Sequence, residues 1–333
     1  MRHANVALFV PNNGCPHRCS FCSQRSITGV QHQPTPDEVR AAAETALRSL
    51  GSASAQAEIA FFGGSFTAIE KKYMVSLLEA AAPYVRNGSF AGIRISTRPD
   101  GIDTEMLSLL KVYGVTTIEL GAQSMEDHVL TVNGRGHTAE QVVRASELIH
   151  SSGFALGLQM MTGLMGDTDD GARATARKIA DLHPDCVRIY PTIVLRGTEL
   201  GEAYLRGEYC PQTLDEAVSL CAELLGFFES RGIRVIRLGL HASPELERDR
   251  VAGPWHPAFR ELCESRRFLE EFQRELTRRK VPTGPLRVHV NPACVSQAVG
   301  QKKSNLGRLT ACGYKTRIVP DSTVKRGDFQ ISW

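Results

Sequence analysis

"VALFVPNNGCPHRCSFCS", residues 6–23, runs from a five-residue apolar stretch directly into a loop with three of the chain's nine cysteines. Val6 to Val10 has the length and composition of a buried strand. The loop after this strand lacks the glycine spacing of a dinucleotide-binding turn. A parallel sheet built on this first unit is therefore expected as a barrel or partial barrel rather than a doubly wound sheet.

The rest of the first 240 residues repeats one theme. "TPDEVRAAAETALRSL" (35–50) reads as a helix, with Thr35 as N-cap, Pro36 at the first helical position and Glu38 closing a capping box. "AEIAFFGG" (57–64) reads as a strand, followed by a helix over 71–85. The strand readings "GIRISTRPD" (92–100), "VTTIELGAQS" (115–124), "ALGLQMMTGLMG" (155–166), "CVRIYPTIVL" (186–195) and "VIRLGLH" (235–241) alternate with helical periods. Such alternation predicts βα units and a parallel sheet. Six units plus one strand predict an α/β fold, a partial (β/α)6-type parallel barrel over 1–243. A charged helical connector over 244–280 and a small C-terminal α+β domain over 281–333 complete the expected organisation. In such barrels the chemistry sits at the carboxyl ends of the strands. Cys15 to Cys22, Gly63-Gly64-Ser65, Arg98, Gln123-Ser124 and Gly163 to Asp167 all fall there. Glu119, Arg188, Tyr190 and His241 sit on strands where an apolar residue is cheaper, so they are expected to line the barrel interior, satisfied by one another.

Hydrophobic content of 42% and charged content of 23% fit a soluble globular protein. No apolar run is long enough to span a bilayer, and the N-terminus lacks a signal-peptide apolar core. A cytoplasmic location and no membrane partner are expected. In a reducing compartment, clustered cysteines point to a metal or cofactor, and scattered ones to buried thiols.

The spacing Cys15-x3-Cys19-x2-Cys22 leaves four readings open. Zinc usually takes four ligands, and His17 would make a strained fourth. A redox pair leaves Cys15 without a role. Unligated thiols sit poorly with this density. A cubane iron–sulfur cluster normally takes four thiolates, so three would leave one iron free for another ligand.

At these residues the chain resembles the radical S-adenosylmethionine superfamily: C-x3-C-x2-C after the first strand, with Phe21 before the last cysteine. "ISTRPD", "IELGAQS", "NGRGH" and "IYPTIVLRGTEL" are similar to the radical domain of Elongator-type catalytic subunits. The resemblance implies a [4Fe-4S] cluster on Cys15, Cys19 and Cys22, with S-adenosylmethionine on its open iron. It implies cofactor-binding roles for Phe21 (adenine), Gly63, Gly64 and Ser65 (methionine amino group), Arg98 (carboxylate), and Gln123 and Ser124 (ribose). It also implies an electron donor of flavodoxin or ferredoxin type. Two departures stand out. Ser65 replaces the family's usual acidic residue, and the first cysteine gap is shorter than in Elongator-type chains. An acetyltransferase domain like theirs is not expected here, and acetyl-transfer chemistry is not carried over.

The C-terminal stretch has its own character. Residues 280–333 carry nine lysines and arginines against two aspartates, or +7, while the whole chain is +3. The order strand, helix, Gly300-Gln301-Lys302-Lys303, helix, strand is similar to the core of a KH domain, with Lys303 in place of the second loop glycine. That similarity implies contact with tRNA or rRNA phosphates through Lys302 and Lys303. The expected function is a radical enzyme acting on RNA. A radical enzyme on a small molecule, or an RNA-binding protein with a structural or redox cluster, also fits the sequence.

Overall fold

The computed structural model describes residues 5–11, 15, 19–30 and 32–333, with backbone only at 24 and 25. Two compact units emerge: 1–213 with 228–255, and 214–227 with 256–333. The first unit begins β1 (Asn5–Val10), α1 (Gln24–Thr28), α2 (Pro36–Leu50), β2 (Glu58–Gly63), α3 (Lys71–Arg86), β3 (Gly92–Thr97), α4 (Thr104–Val112) and β4 (Val115–Gln123). It continues α5 (Asp127–Val132), α6 (Ala139–Ser151), β5 (Ala155–Thr162), α7 (Asp169–Asp181), β6 (Cys186–Pro191), β7 (Val194–Leu195) and α8 (Glu199–Leu205). Helix α9 (Leu214–Glu229) precedes β8 (Arg234–Leu238), α10 (Pro244–Asp249) and β9 (Arg250–Ala252).

Seven strands form one parallel sheet in the order β1-β2-β3-β4-β5-β6-β8. Each strand of this sheet neighbours the sheet's next strand in sequence, with β7 outside it, so the sheet winds in one direction and remains an open partial barrel, as the alternation predicted. The capping boxes foreseen at Thr35/Glu38 and present also at Thr138/Gln141 start α2 and α6. Strand periodicity separates two faces. Ile59 and Phe61, Ile93 and Ile95, Ile118 and Leu120, and Leu156 and Leu158 are fully buried on one face. The alternate positions include a polar set: Glu58, Arg94, Ser96, Glu119, Gln159 and Arg188.

Those polar positions satisfy one another. Arg94 Nε donates to Glu58 Oε2 at 2.7 Å and Arg94 Nη1 to Glu119 Oε1 at 2.7 Å. Arg188 grips Glu119 through Nε (2.5 Å) and Nη2 (2.9 Å), and Gln159 Nε2 adds a bond at 3.2 Å. Two carboxylates balance two guanidiniums, which is what a buried ionic cluster requires. Burial opposes ionisation of Glu119, yet Arg188 and Arg94 hold its carboxyl below the usual range.

The strand read over 186–195 is two strands. The Thr192 backbone amide and hydroxyl both turn to Thr162 O, at 2.9 and 2.7 Å, and end β6. β7 then pairs antiparallel with β9. The stretch set apart as a connector divides as well. α10 falls in the first unit, whereas the helix read over 258–280 belongs to the second.

The second unit contains α11 (Phe259–Arg278), β10 (Gly284–Val290), α12 (Val295–Val299), α13 (Ser304–Ala311), β11 (Tyr314–Pro320) and β12 (Phe329–Ser332). β10 pairs parallel with β11 and antiparallel with β12. Phe268, Leu269, Phe272 and Leu276 of α11 share one core with Leu286, Val288, Val290, Ala298 and Leu309. Strand, helix, lysine loop, helix and strand follow in the expected order. Ser304 is the first residue of α13, with Lys303 as its N-cap. Gly300 has φ +75°, and a Cβ there would stand 2.5 Å from Ser304 Oγ. Lys302 and Lys303 are both left-handed (φ 52° and 63°). Lys303 thus takes the backbone shape that a glycine adopts at least cost.

Candidate active site

Among the described residues of the cysteine loop, Ser20 is the best anchored. Its amide donates to Asn133 O at 3.1 Å, its hydroxyl to Asn133 Oδ1 at 2.9 Å, and its carbonyl accepts from Leu200 N at 2.8 Å. Asn133 is fully buried and in turn donates to Val129 O and Met165 O. The segment after α5 and the first turn of α8 therefore hold the loop from two sides. Cys22 N donates to Cys19 O at 3.1 Å, closing a tight turn between those two cysteines. Phe21 is buried in an apolar cluster with Val129, Met161, Leu164, Leu200 and Tyr209, against which Cys19 and Cys22 pack.

Burial first, then the neighbouring Cys19 and Cys15, against an opposing Arg135, push the Cys22 thiol up to about 12. A thiol so placed becomes a thiolate only with a cation to hold it. Arg135 supplies one charge: its Nη1 donates to Cys19 Sγ at 3.0 Å, and its Nη2 to Gly121 O at 2.6 Å. The Arg135 carbonyl accepts from Arg98 Nη2 at 2.6 Å. No sequence feature assigned Arg135 a role, although it is the centre of the quoted "NGRGH".

Among the described residues, three buried polar atoms in this neighbourhood have no partner: Gln123 Oε1, Arg135 Nε and His137 Nδ1. Orphaned buried polar atoms are rare in a finished structure. Gln123 also has a left-handed backbone (φ 66°), uncommon for a non-glycine residue. A Cβ on Gly121 would lie 3.0 Å from Gln123 Nε2, so that glycine makes room for the amide. His137 Nε2 faces Ala122 O at 3.3 Å. Its burial, then Arg135 and Arg98, depress its pKa to about 4, so near neutral pH the ring is uncharged and Nδ1 is a bare acceptor.

The other expected site residues divide into open and committed groups. Gly63 has φ +111°, and a Cβ there would stand 2.9 Å from Val10 O, while Gly64 N donates to that same carbonyl at 2.8 Å. The Gly63 requirement thus arises from the β1–β2 contact itself. Ser65 is 1% exposed. Its hydroxyl meets Thr97 Oγ1 at 2.9 Å and accepts from Arg98 N at 3.2 Å, so it positions Arg98. Arg98 is buried and holds Asp100 through two bonds, at 2.9 and 3.1 Å. Ser124 is fully buried; its hydroxyl meets Thr175 Oγ1 and accepts from Glu126 N. Of the pair Gln123 and Ser124, only Gln123 offers an unused atom.

Among the described residues, no three His, Cys, Asp or Glu side chains stand in a metal-ligand group. Gly14 and residues 16–18, His17 included, lie outside the described residues. The donor set nevertheless fits an iron–sulfur cluster: three soft thiol ligands at one strand end, a cation on one sulfur, and unfilled polar atoms alongside.

The radical SAM superfamily model matches residues 9–179, and the radical SAM C-terminal domain model matches residues 184–270. The chain belongs to the radical SAM superfamily. It is 27% identical over 256 residues to the tRNA uridine(34) acetyltransferase of Methanocaldococcus jannaschii, covering 65% of this chain and 47% of that protein. It is 30% identical over 201 residues to human Elongator complex protein 3, covering 54% and 36% respectively. This radical SAM chain thus spans about half the length, or less, of these curated relatives. The archaeal Methanocaldococcus infernus Elp3 structure superposes with a TM-score of 0.60 at 22% identity, over 84% of this chain and 64% of that one. The likeness extends to the α/β half-barrel with its small C-terminal unit. The radical SAM match makes the protein an enzyme.

Proposed function

We propose that this radical SAM enzyme modifies RNA, most simply tRNA, and that Cys15, Cys19 and Cys22 hold a [4Fe-4S] cluster. The carrying observation is the set of three orphaned polar atoms beside a three-cysteine loop at the carboxyl edge of the sheet. Together with S-adenosylmethionine, such a cluster supplies one-electron cleavage of a sulfonium–carbon bond and a 5′-deoxyadenosyl radical that takes hydrogen from the substrate.

The chain's own residues bind and orient. Arg135 fixes Cys19 and, through its carbonyl, the Arg98 guanidinium. Gln123 Oε1 and His137 Nδ1 are acceptors free for hydroxyl or amino groups of the cofactor. Ser65 acts through Arg98. Gly63 and Gly64 keep the β2 edge low, and Phe21 supports the loop from its apolar side. The RNA assignment draws on the names of the relatives and on the basic second unit, where Lys302 and Lys303 are exposed. An electron donor of flavodoxin or ferredoxin type in a reducing, cytoplasmic setting completes the reading.

The test is anaerobic reconstitution with iron and sulfide, then reduction with S-adenosylmethionine and bulk tRNA. Release of 5′-deoxyadenosine, lost in Cys15→Ala, Cys19→Ala and Cys22→Ala, together with a new nucleoside mass, is the expected result. No 5′-deoxyadenosine from a reconstituted cluster would overturn the cofactor assignment. Turnover with no change in any RNA nucleoside would overturn the substrate.

A further inference from the structure

We infer that the open face of the β11-β10-β12 sheet is a docking surface for an RNA phosphate backbone, separate from the lysine loop. The core of the second unit lies on one side of this sheet, where Leu286, Val288 and Val290 meet α11, α12 and α13. Strand alternation sends the intervening side chains to the opposite face. There stand Arg287 on β10 and Lys315 and Arg317 on β11, all exposed.

The register sets Arg287 directly beside Arg317. Adjacent like charges on one sheet face are destabilising. No carboxylate relieves them: among the described residues, none bonds Arg287, Lys315 or Arg317. The nearby Asp321 is occupied with His289 (3.6 Å) and with Thr323. Some other cations of the unit are paired. Arg308 and Arg266 share Asp215, and Arg260 holds Glu264. Three bare cations therefore share one exposed sheet face where the fold gains nothing from their proximity, and an external anion is the natural counter-charge. Lys315 and Arg317 are two strand positions apart, about 7 Å, the scale of neighbouring phosphates on one nucleic-acid strand. A cluster of guanidinium and ammonium groups at this spacing suits a phosphate backbone, bound by counterion release. Lys302 and Lys303 lie between α12 and α13, the helices that cover the other face. That the polyanion is RNA rests on the proposed function.

The experiment measures binding of the full chain to bulk tRNA by fluorescence anisotropy across a salt series. Three variants are compared with wild type: Arg287→Gln/Lys315→Gln/Arg317→Gln, Lys302→Gln/Lys303→Gln, and Arg287→Glu. The triple variant should bind at least tenfold more weakly, with a salt slope reduced by about 2 to 3. Its Tm should be equal to wild type or higher, because the Arg287–Arg317 repulsion is gone. Arg287→Glu converts that repulsion into a cross-strand ion pair, so it should fold at least as well while also binding more weakly. If wild type does not bind tRNA, the RNA reading itself fails. If wild type binds and only the lysine-loop variant loses affinity, the sheet-face inference alone is overturned. Unchanged tRNA affinity in the triple variant, with loss of binding to polyglutamate, would assign the face to an acidic protein and overturn it too.

Discussion

Arg135 donates to Cys19 Sγ across 3.0 Å, joining residues 116 positions apart. A cation hydrogen-bonded to a cluster sulfur favours the state with the extra electron. Arg135→Gln should therefore lower the cluster midpoint potential by roughly 60 mV, tenfold in a one-electron equilibrium. Arg135→Lys keeps the charge but loses the fork that also holds Gly121 O, so its potential should fall between the two. Redox titration followed by electron paramagnetic resonance reads this out. Equal potentials in all three proteins would reduce Arg135 to scaffold.

Gln123 and Ser124 are adjacent, but their substitutions should affect different properties. Gln123 Oε1 is buried and unused, so Gln123→Ala should weaken S-adenosylmethionine binding about tenfold, with little change in stability. Ser124 is committed to Thr175 and Glu126. Ser124→Ala should leave that affinity within about twofold and cost about 1 kcal/mol of folding stability. Isothermal titration and urea unfolding separate the two, and a binding loss on Ser124→Ala would count against the assignment.

What the sequence revealed was what is local. The parallel half-barrel followed from alternating apolar runs, α2 from its capping box, and the thiol site from three cysteines on one loop. Contacts at long separation left no such mark. Arg135 meets Cys19, and Asn133 holds Ser20, only because the fold brings the segment after α5 beneath the first loop. Ser65 matched a motif position, yet its hydroxyl goes to Thr97 and Arg98, a choice made by packing between β2 and β3. Glu119 and Arg188 were legible as misfit charges on strands. Arg94 and Glu58, the other two members, carry the same signal on β3 and β2 and were missed. The helix over 258–280 looked like a connector because its apolar stripe names no partner, and the partner proved to be the sheet that succeeds it in the chain.

Glu119 is 1% exposed and is held by both Arg94 and Arg188. Removing its charge leaves two buried guanidiniums with one remaining carboxylate, Glu58, which bonds Arg94. Glu119→Gln should cost about 3 to 5 kcal/mol, the scale for breaking a buried ion pair from one side. Urea unfolding measures it. A loss under about 1 kcal/mol would mean that water or Gln159 already carries the Arg188 charge.

His137 should leave a signature in the acid limb of the stability curve. Burial, then Arg135 and Arg98, depress its pKa to about 4, against about 6.5 for an unfolded histidine. Between those values the unfolded chain binds a proton that the folded chain excludes. The contribution is therefore complete above about pH 6.5 and is lost as pH falls toward 4, by about 3 kcal/mol. Asp167 works in the opposite direction. Burial raises its carboxyl to about 6, so the folded chain takes up that proton first and gains stability on acidification. The two effects overlap, and the wild-type curve alone cannot resolve them. The difference between wild type and His137→Gln cancels the Asp167 contribution. Denaturant titrations at pH 7.5 and 4.5 should show wild type losing about 2.5 kcal/mol more than the variant. Parallel losses would mean that the His137 ring takes up its proton in the folded state, with Nδ1 reaching an acceptor.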